Sequence, residues 1–280
     1  MLEKLMKNVF LVTACVSIAM VALICIFLFG NGIPTIQEIG VVEFLFGTVW
    51  RPSNNLYGIL PMIIGSIYVT VGAILVGVPI GILTAVFMAK FCDNKLYKIV
   101  KPAINLLAGI PSIVYGFFGL WVLVPLMRTL FGGSGKHILT ASVLLGIMIL
   151  PTIINITETA LRAVPESYYE GAVALGETHE MSVFRVVLPA AKSGIMAGVI
   201  LGIGRAIGET MALIMIAGNQ KIIPDSIFDG VRTLTGNIVL EMGYAADLHR
   251  EALIATAVVL FVFILIINVT FSIIKNRKQD

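Results

Sequence analysis

Charged residues are scarce in this sequence. Of its 280 residues only 12% are Asp, Glu, Lys or Arg, whereas 58% are hydrophobic, and the mean hydropathy is +1.01. Soluble domains carry about twice as much charge, so the composition excludes one and indicates a chain that crosses a membrane several times. The net charge of +3 is too small to favour a nucleic-acid partner.

Cysteine and histidine are equally rare, with three of each. Cys15 and Cys25 are about 15 Å apart on one predicted helix at the standard rise, and Cys92 lies in a separate loop, so no disulfide framework is expected. The histidines are scattered without the spacing of a metal centre. We therefore expect no catalytic residue, metal ion or cofactor in this chain.

A nucleotide-binding loop is also missing. The segment Gly132-Gly133-Ser134-Gly135-Lys136 superficially suggests one. A P-loop, however, needs Gly five residues before its Gly-Lys pair and Ser or Thr after it, where this chain has Leu130 and His137. We interpret the segment as an external turn, so this chain has no Walker motif of its own.

Long apolar runs, by contrast, are plentiful. Six of them reach the length of about 20 residues that a helix needs to cross the hydrocarbon core. The predicted spans cover residues 9–30, 61–89, 102–127, 140–159, 193–217 and 252–274. The fold class is therefore an all-α integral membrane protein with six transmembrane helices.

Positive charge sets the predicted orientation. Lys90, Lys95, Lys98 and Lys101 crowd one loop, which places it in the cytoplasm, and the tail after residue 274 is also basic. Both termini are then cytoplasmic. Residues 31–60 and 218–252 become external segments, in which Trp50 and Tyr57 are expected as anchors at the lipid headgroups.

Three parts of the chain follow from these assignments. Residues 1–61 form an N-terminal anchor helix with an external segment, residues 62–274 form the membrane core, and residues 275–280 form a cytoplasmic tail. Near the cytoplasmic end of the fourth span, Glu158 and Arg162 have the spacing of a helical ion pair. We predict that they brace the helix at the membrane surface.

Residues 165–189 form the longest polar cytoplasmic interruption. Pro165 suits the start of a helix, Gly176 a left-handed C-cap, and Thr178 the N-cap of a second short helix that Pro189 limits. The plain alternative is an interfacial amphipathic helix that only connects two spans.

The loop also has a spaced set of residues: Glu170, Gly171, Ala172, Gly176, Leu188 and Pro189. Their spacing resembles that of the EAA loop of ABC-importer permeases. Gly171 stands where that family usually has Ala. The resemblance implies a type I ABC importer permease fold whose short cytoplasmic coupling helix inserts into a separate ATPase subunit.

Arg205 and Glu209 are charged residues within the fifth predicted span. Such residues cost about 2.5 to 3.5 kcal/mol each at the bilayer centre, so they should face protein or water. One interpretation is a self-neutralising ion pair; the other is an anion site in which Arg205 binds an oxyanion and Glu209 accepts a hydrogen bond from a protonated phosphate. Small residues on this span predict close helix packing: Gly194, Gly198, Gly202, Gly204 and Gly208.

The segment 202–211, Gly-Ile-Gly-Arg-Ala-Ile-Gly-Glu-Thr-Met, closely resembles the fifth-span motif of phosphate-specific transport permeases, with Gly218-Asn219 after it. Trp50-Arg51-Pro52, residues 57–61 and Gly109-Ile110-Pro111-Ser112 add to the resemblance. The chain is more similar to the C-type permease of that pair than to its A-type partner.

This resemblance implies a role for Arg205 and Glu209 in phosphate movement. It also implies an A-type second permease, a dimer of ATPase subunits and an extracytoplasmic phosphate-binding protein, in a bacterial or archaeal cell membrane and surrounded by lipid.

Two alternatives stay open from the sequence. The substrate could be another oxyanion such as molybdate, sulfate or phosphonate, or the chain could be an ion-coupled carrier that works alone.

Overall fold

The computed structural model describes residues 2–276, so Arg277 and Lys278 of the predicted cytoplasmic tail lie outside the described residues. The described chain is almost entirely helical. The long helices, with the π-helical turns that continue two of them, are α1 Leu2–Ile39, α3 Leu60–Val86 continuing through Phe87–Phe91, α5 Ser112–Phe118 continuing through Gly119–Leu123 into α6 Val124–Phe131, α7 Ile138–Arg162, α11 Lys192–Gly208 and α14 Asp247–Asn276.

Shorter elements connect these helices. They are α2 Val41–Phe46, the antiparallel strands β1 Trp50–Arg51 and β2 Leu56–Tyr57, α4 Asn94–Gly109, α8 Glu166–Ala174, α9 His179–Ser182, α10 Leu188–Ala190, α12 Met211–Ile216 and α13 Leu234–Met242.

Within residues 2–276, five helices are long and apolar enough to span a membrane, and there are six spans if one bent pair forms a span. That pair is His179–Ala190 with Lys192–Gly208, which meet at a bend of 69°. The predicted fold class, an all-helical membrane protein with several spans, is therefore confirmed.

Helix α7 forms the centre of the fold. It packs against both α3 and α11, and its residues Leu144, Leu145, Ile149 and Ile153 are at most 1% exposed. Gly77 permits the close approach of α3, because a Cβ there would lie 2.8 Å from the Ile149 side chain. Helix α3 itself runs through Pro79 without interruption.

Helix α1 lies at the edge of this bundle. It contacts α14, with the rings of Phe29 and Phe261 edge to face at 5.7 Å, while the apolar window of its span is not buried at all. An apolar helix exposed in this way suits contact with lipid.

The third span begins later than predicted. Residues 94–109 form the separate helix α4. Ile110 and Pro111 follow it, and the span itself is Ser112–Phe131. Pro111 prevents continuation because its ring clashes with a preceding helical turn. The second half of α4 is apolar, so the sequence pattern did not separate it from the span that follows.

Trp50 and Tyr57 also differ from their prediction as lipid anchors. Their exposed fractions are only 4% and 2%, and they form a pair across the β1–β2 hairpin with ring centroids 5.7 Å apart. The Trp50 indole Nε1–H donates a hydrogen bond of 2.8 Å to Glu241 Oε2. A buried indole needs such an acceptor, so the hairpin is held by contacts within the protein rather than by headgroups.

Candidate functional site

The predicted fifth span is broken at Glu209. Helix α11 ends at Gly208, Glu209 has extended backbone angles (φ −68°, ψ 133°), and α12 begins at Met211. Glu209 Oε1 accepts a hydrogen bond from the Ala212 N–H at 3.2 Å, which satisfies one of the unpaired donors at the start of α12. The carboxylate therefore lies at a helix break and not on a continuous helix.

Arg205 lies one turn before this break and is half-buried. Its Nη1 donates to Thr152 Oγ1 on α7 over 3.4 Å. Within residues 2–276 it forms no ion pair with Glu209. The interpretation of a self-neutralising pair is thus not supported, because the break directs the two side chains to different partners.

The glycines of α11 divide between two faces. A Cβ at Gly194 would lie 2.3 Å from Ala160 Cβ, and one at Gly202 would lie 2.9 Å from Ile153 Cγ1. Gly198 faces Ile156 of α7 in the same way, with a Cβ-to-Cβ distance of 3.2 Å. These three positions let α11 approach α7 closely.

Gly204 and Gly208 make no such approach. A Cβ at either would meet no atom within 4 Å in the described part of the chain, so the predicted packing role does not apply to them there. Leu201 and Met211 are 57% and 48% exposed beside them. The face of α11 that borders Arg205 is therefore left uncovered by residues 2–276.

The 165–189 loop folds as two short helices joined by a tight turn. Helix α8 ends before Gly176, whose φ of 91° requires the left-handed region that glycine tolerates. Thr178 Oγ1 accepts from the Met181 N–H at 3.4 Å as the N-cap of α9. From His179 the helical path continues through a π-helical turn at Val183–Val187 to Ala190.

Within this loop the predicted coupling residues differ in exposure. Glu170, Gly171, Gly176 and Pro189 are exposed, Leu188 is half-buried, and Ala172 is buried. The loop also carries an uncovered set of large apolar side chains. They are Tyr168, Val173, Leu175, Met181 and Phe184, with exposed fractions from 38% to 90%.

His179 connects the two short helices to the end of α3. The Tyr169 hydroxyl donates to His179 Nδ1 at 2.9 Å, and Nε2 lies 3.1 Å from the Lys90 carbonyl oxygen. A neutral imidazole with its proton on Nε2 satisfies both bonds. Lys90 Nζ also pairs with Glu166 at 3.4 Å, so two contacts tie the loop to α3.

Glu158 has more partners than the predicted helical pair. It is 2% exposed and accepts from Arg162 Nε at 2.9 Å, Lys101 Nζ at 2.7 Å and the Tyr97 hydroxyl at 2.7 Å. The hydrogen bond to Glu158, with burial, raises the pKa of Tyr97. The cluster holds α4 against α7, which the sequence spacing alone did not reveal.

Comparison with known proteins agrees with this architecture. The family model described as "Binding-protein-dependent transport system inner membrane component" matches residues 77–279. A "Probable ABC transporter permease protein YqgH" of Bacillus subtilis is 40% identical over 271 residues, covering 92% of this chain and 88% of the relative. A "Phosphate transport system permease protein PstC" of Mesorhizobium japonicum is 37% identical over 246 residues, covering 80% of this chain and 75% of the relative.

A solved structure described as inward-facing conformations of the MetNI methionine ABC transporter superposes with a TM-score of 0.65. It is 20% identical and covers 82% of this chain and 99% of the other. The fold is that of an ABC-importer permease. The chain itself belongs to the family of inner membrane components of binding-protein-dependent transport systems.

Proposed function

We propose that this chain is the permease subunit of an ATP-driven importer of inorganic phosphate. The carrying observation is Arg205, a half-buried cation next to a helix break and beside an uncovered helix face. Membership of a binding-protein-dependent transport family and relatives named as phosphate permeases support this assignment.

Arg205 has the chemistry to bind an oxyanion. Guanidinium presents paired N–H donors that match two oxygens of a tetrahedral anion and keeps its charge at all physiological pH values. Thr152 is its one hydrogen-bond partner recorded within residues 2–276, so further donors are available to a substrate. Binding there would offset the loss of hydration that the anion suffers in the membrane.

Glu209 would provide selectivity between anions. Oε1 is engaged by the Ala212 N–H, and Oε2 has no hydrogen-bond partner within residues 2–276. Phosphate near neutral pH keeps a P–OH that can donate to this oxygen, whereas sulfate has no proton to donate. A ligand that cannot donate this hydrogen bond leaves the carboxylate oxygen unpaired, so it binds less well.

The uncovered face of α11 suggests where a second permease packs. Gly204 and Gly208 would allow a partner helix to approach closely, and the passage for phosphate would then lie between the two subunits. We propose an A-type phosphate permease as that partner. A dimer of ATPase subunits would dock on the exposed apolar residues of the 165–189 loop, and an extracytoplasmic phosphate-binding protein would deliver the anion.

The test is phosphate uptake by the complete complex in proteoliposomes containing ATP. Arg205→Ala should reduce uptake by about a hundredfold or more, since the lost contact is a charged hydrogen bond in a poorly hydrated site, while the complex still assembles. Arg205→Lys keeps the charge without the paired donors and should fall between. Normal uptake by assembled Arg205→Ala would refute the assignment of this residue.

Anion competition tests Glu209. The wild-type complex should prefer phosphate to sulfate, and Glu209→Gln should lose most of that preference. An unchanged preference in Glu209→Gln would exclude the proposed hydrogen bond, and uptake of sulfate or molybdate in place of phosphate would assign the importer to another oxyanion.

A further inference from the structure

Polar side chains continue from Arg205 toward the cytoplasm along one face of α7. Thr152, Asn155 and Thr159 lie three and then four residues apart, so they share a helix face. Thr152 and Asn155 are half-buried and Thr159 is exposed, whereas Ile153 and Ile154 on other faces are buried. An apolar helix with one open polar stripe provides a hydrated path from the Arg205 site.

A second cation lies on this path. Lys101 Nζ of α4 donates to Asn155 Oδ1 at 2.8 Å and to Glu158 Oε2 at 2.7 Å. The side chain is 27% exposed. An ammonium group has three N–H donors. Within residues 2–276 two of them are used, so one remains for a further acceptor.

The charge of this cluster is not balanced. Glu158 is one buried carboxylate, and Arg162 and Lys101 are two cations that bind it. The net charge is therefore +1, and Arg162 with the Tyr97 hydroxyl already satisfies Glu158 Oε1. If Lys101 served only to neutralise Glu158, its positive charge would duplicate the charge that Arg162 already provides.

Amide groups complete the site. Asn155 Nδ2 donates to Asn105 Oδ1 at 3.3 Å, and Asn105 is exposed on the same face of α4 as Lys101, one turn further along. Asn155 lies three residues, or about 4.5 Å of helical rise, below the Thr152 that contacts Arg205. The two cations thus lie in sequence along one path.

We propose that Lys101, with Asn155 and Asn105, forms a second oxyanion-binding site between Arg205 and the cytoplasm. This inference rests on the proposed function. A permeating ion requires binding strong enough to replace hydration and weak enough, over several sites, to permit release. Arg205 would accept phosphate from the external side, and Lys101, already shared with Asn155 and Glu158, would hold it loosely before release.

The experiment measures ATP-driven uptake by the complete complex against the concentration of phosphate-loaded binding protein. Lys101→Met should lower maximal uptake about tenfold, the loss expected for one hydrogen bond to a charged group. The concentration of binding protein at half-maximal uptake should not change, because the site acts after delivery. Lys101→Arg should keep most of the uptake. Lys98→Met, which removes an exposed cation from the same helix, is the matched control.

The double variant Lys101→Met with Glu158→Gln separates binding from structural neutralisation. If Lys101 binds substrate, the double variant stays as impaired as Lys101→Met. If Lys101 only balances Glu158, uptake returns to the wild-type level and the proposal is overturned. Uptake by Lys101→Met equal to that of Lys98→Met also overturns it. If the wild-type complex showed no preference for phosphate over other anions, the proposed function itself would be refuted.

A chemical measurement covers the case in which Lys101→Met does not assemble. In a background where Cys15, Cys25 and Cys92 are replaced by Ser, Thr159→Cys introduces a single thiol on the polar face of α7, one turn from Asn155. Phosphate should slow its reaction with an anionic methanethiosulfonate reagent at least about twofold, because both anions compete for one cation, and sulfate should slow it less. Equal rates with and without phosphate would contradict the site.

Discussion

Trp50 and Glu241, which are 191 residues apart in the sequence, are joined by an indole hydrogen bond of 2.8 Å. Glu241 is 2% exposed and also binds Lys221 at 2.6 Å, Arg232, and His249 Nε2 at 2.9 Å. One carboxylate therefore joins the β1–β2 hairpin, the loop before α13, α13 itself and the start of α14. Trp50, Lys221, Glu241 and His249 are among the residues that line a cleft of about 730 Å³.

Removal of the indole donor should weaken this cluster around Glu241. Trp50→Phe leaves a buried carboxylate oxygen with one partner fewer, so we expect a loss of about 1 to 3 kcal/mol in the free energy of unfolding. Thermal unfolding of the detergent-solubilised protein measures it. Trp121→Phe is the control, because Trp121 is 77% exposed and should change little. Equal effects of both substitutions would show that the hydrogen bond contributes nothing.

The same cluster predicts a pH dependence of stability. Burial alone would raise the pKa of Glu241, but hydrogen bonds from Lys221, Trp50 and Arg232 outweigh it and hold the pKa at about 2. A carboxyl group with a lowered pKa stabilises the fold above its ordinary value of 4.5, and the contribution disappears as the pH falls toward 2. The stability difference between wild type and Glu241→Gln should therefore shrink between about pH 4.5 and 2. A difference that stays constant over this range would exclude the mechanism, and Glu38→Gln at an exposed position should show almost no difference at any pH.

Helix packing at α11 predicts a contrast between two glycines. Gly194→Ala places a methyl group 2.3 Å from Ala160 Cβ, which forces α7 and α11 apart and should cost about 1 to 3 kcal/mol. Gly204→Ala meets no atom within 4 Å and should be neutral or slightly stabilising in the isolated chain. Thermal unfolding of the two variants tests this. A Gly194→Ala protein as stable as Gly204→Ala would contradict the close approach.

The bond between Tyr169 and His179 predicts a defect in coupling. Tyr169→Phe removes the hydroxyl that joins α8 to the residue contacting the α3 end, and we expect fewer phosphate ions transported per ATP hydrolysed, by about two- to tenfold for one hydrogen bond. Tyr68→Phe is the control, since Tyr68 is 47% exposed and lies on α3, outside the loop. A proportional fall of uptake and hydrolysis would indicate a folding defect instead of uncoupling.

Accessibility to a membrane-impermeant maleimide tests the orientation. With Cys15 and Cys25 replaced by Ser, the half-buried Cys92 should react in inside-out vesicles and not in intact cells, because the lysine-rich segment around it is predicted to be cytoplasmic. Ser134→Cys, in the turn on the opposite side, should react in intact cells once Cys92 is also replaced. The reverse pattern would invert the topology.

Local chemistry made several elements predictable. Gly176 and Thr178 set the turn and cap between α8 and α9, and each acts on its own backbone, so the sequence carries the whole signal. The end of α4 before Pro111 was missed, because the predicted third span ran through it. The composition likewise predicted a multi-span helical protein, and the loop pattern indicated the family.

Long-range relationships were harder to predict. The break at Glu209 was missed because the apolar sequence continues through α12 and hides the change in backbone direction. Lys101 was interpreted only as part of a basic loop, and Glu241 was not recognised at all, since their partners lie on helices distant in sequence. These charges form ion clusters because helix packing buries them together, and a short stretch of sequence does not show that packing.

The central claim is that ATP hydrolysed by a partner drives phosphate through this chain. The most direct measurement is phosphate accumulation in proteoliposomes, comparing the complete complex with ATP, the complex without ATP, and this permease without ATPase subunits under an ion gradient. We predict accumulation only in the first case. Accumulation driven by the gradient in the absence of ATPase subunits would contradict the account and identify a carrier that works alone.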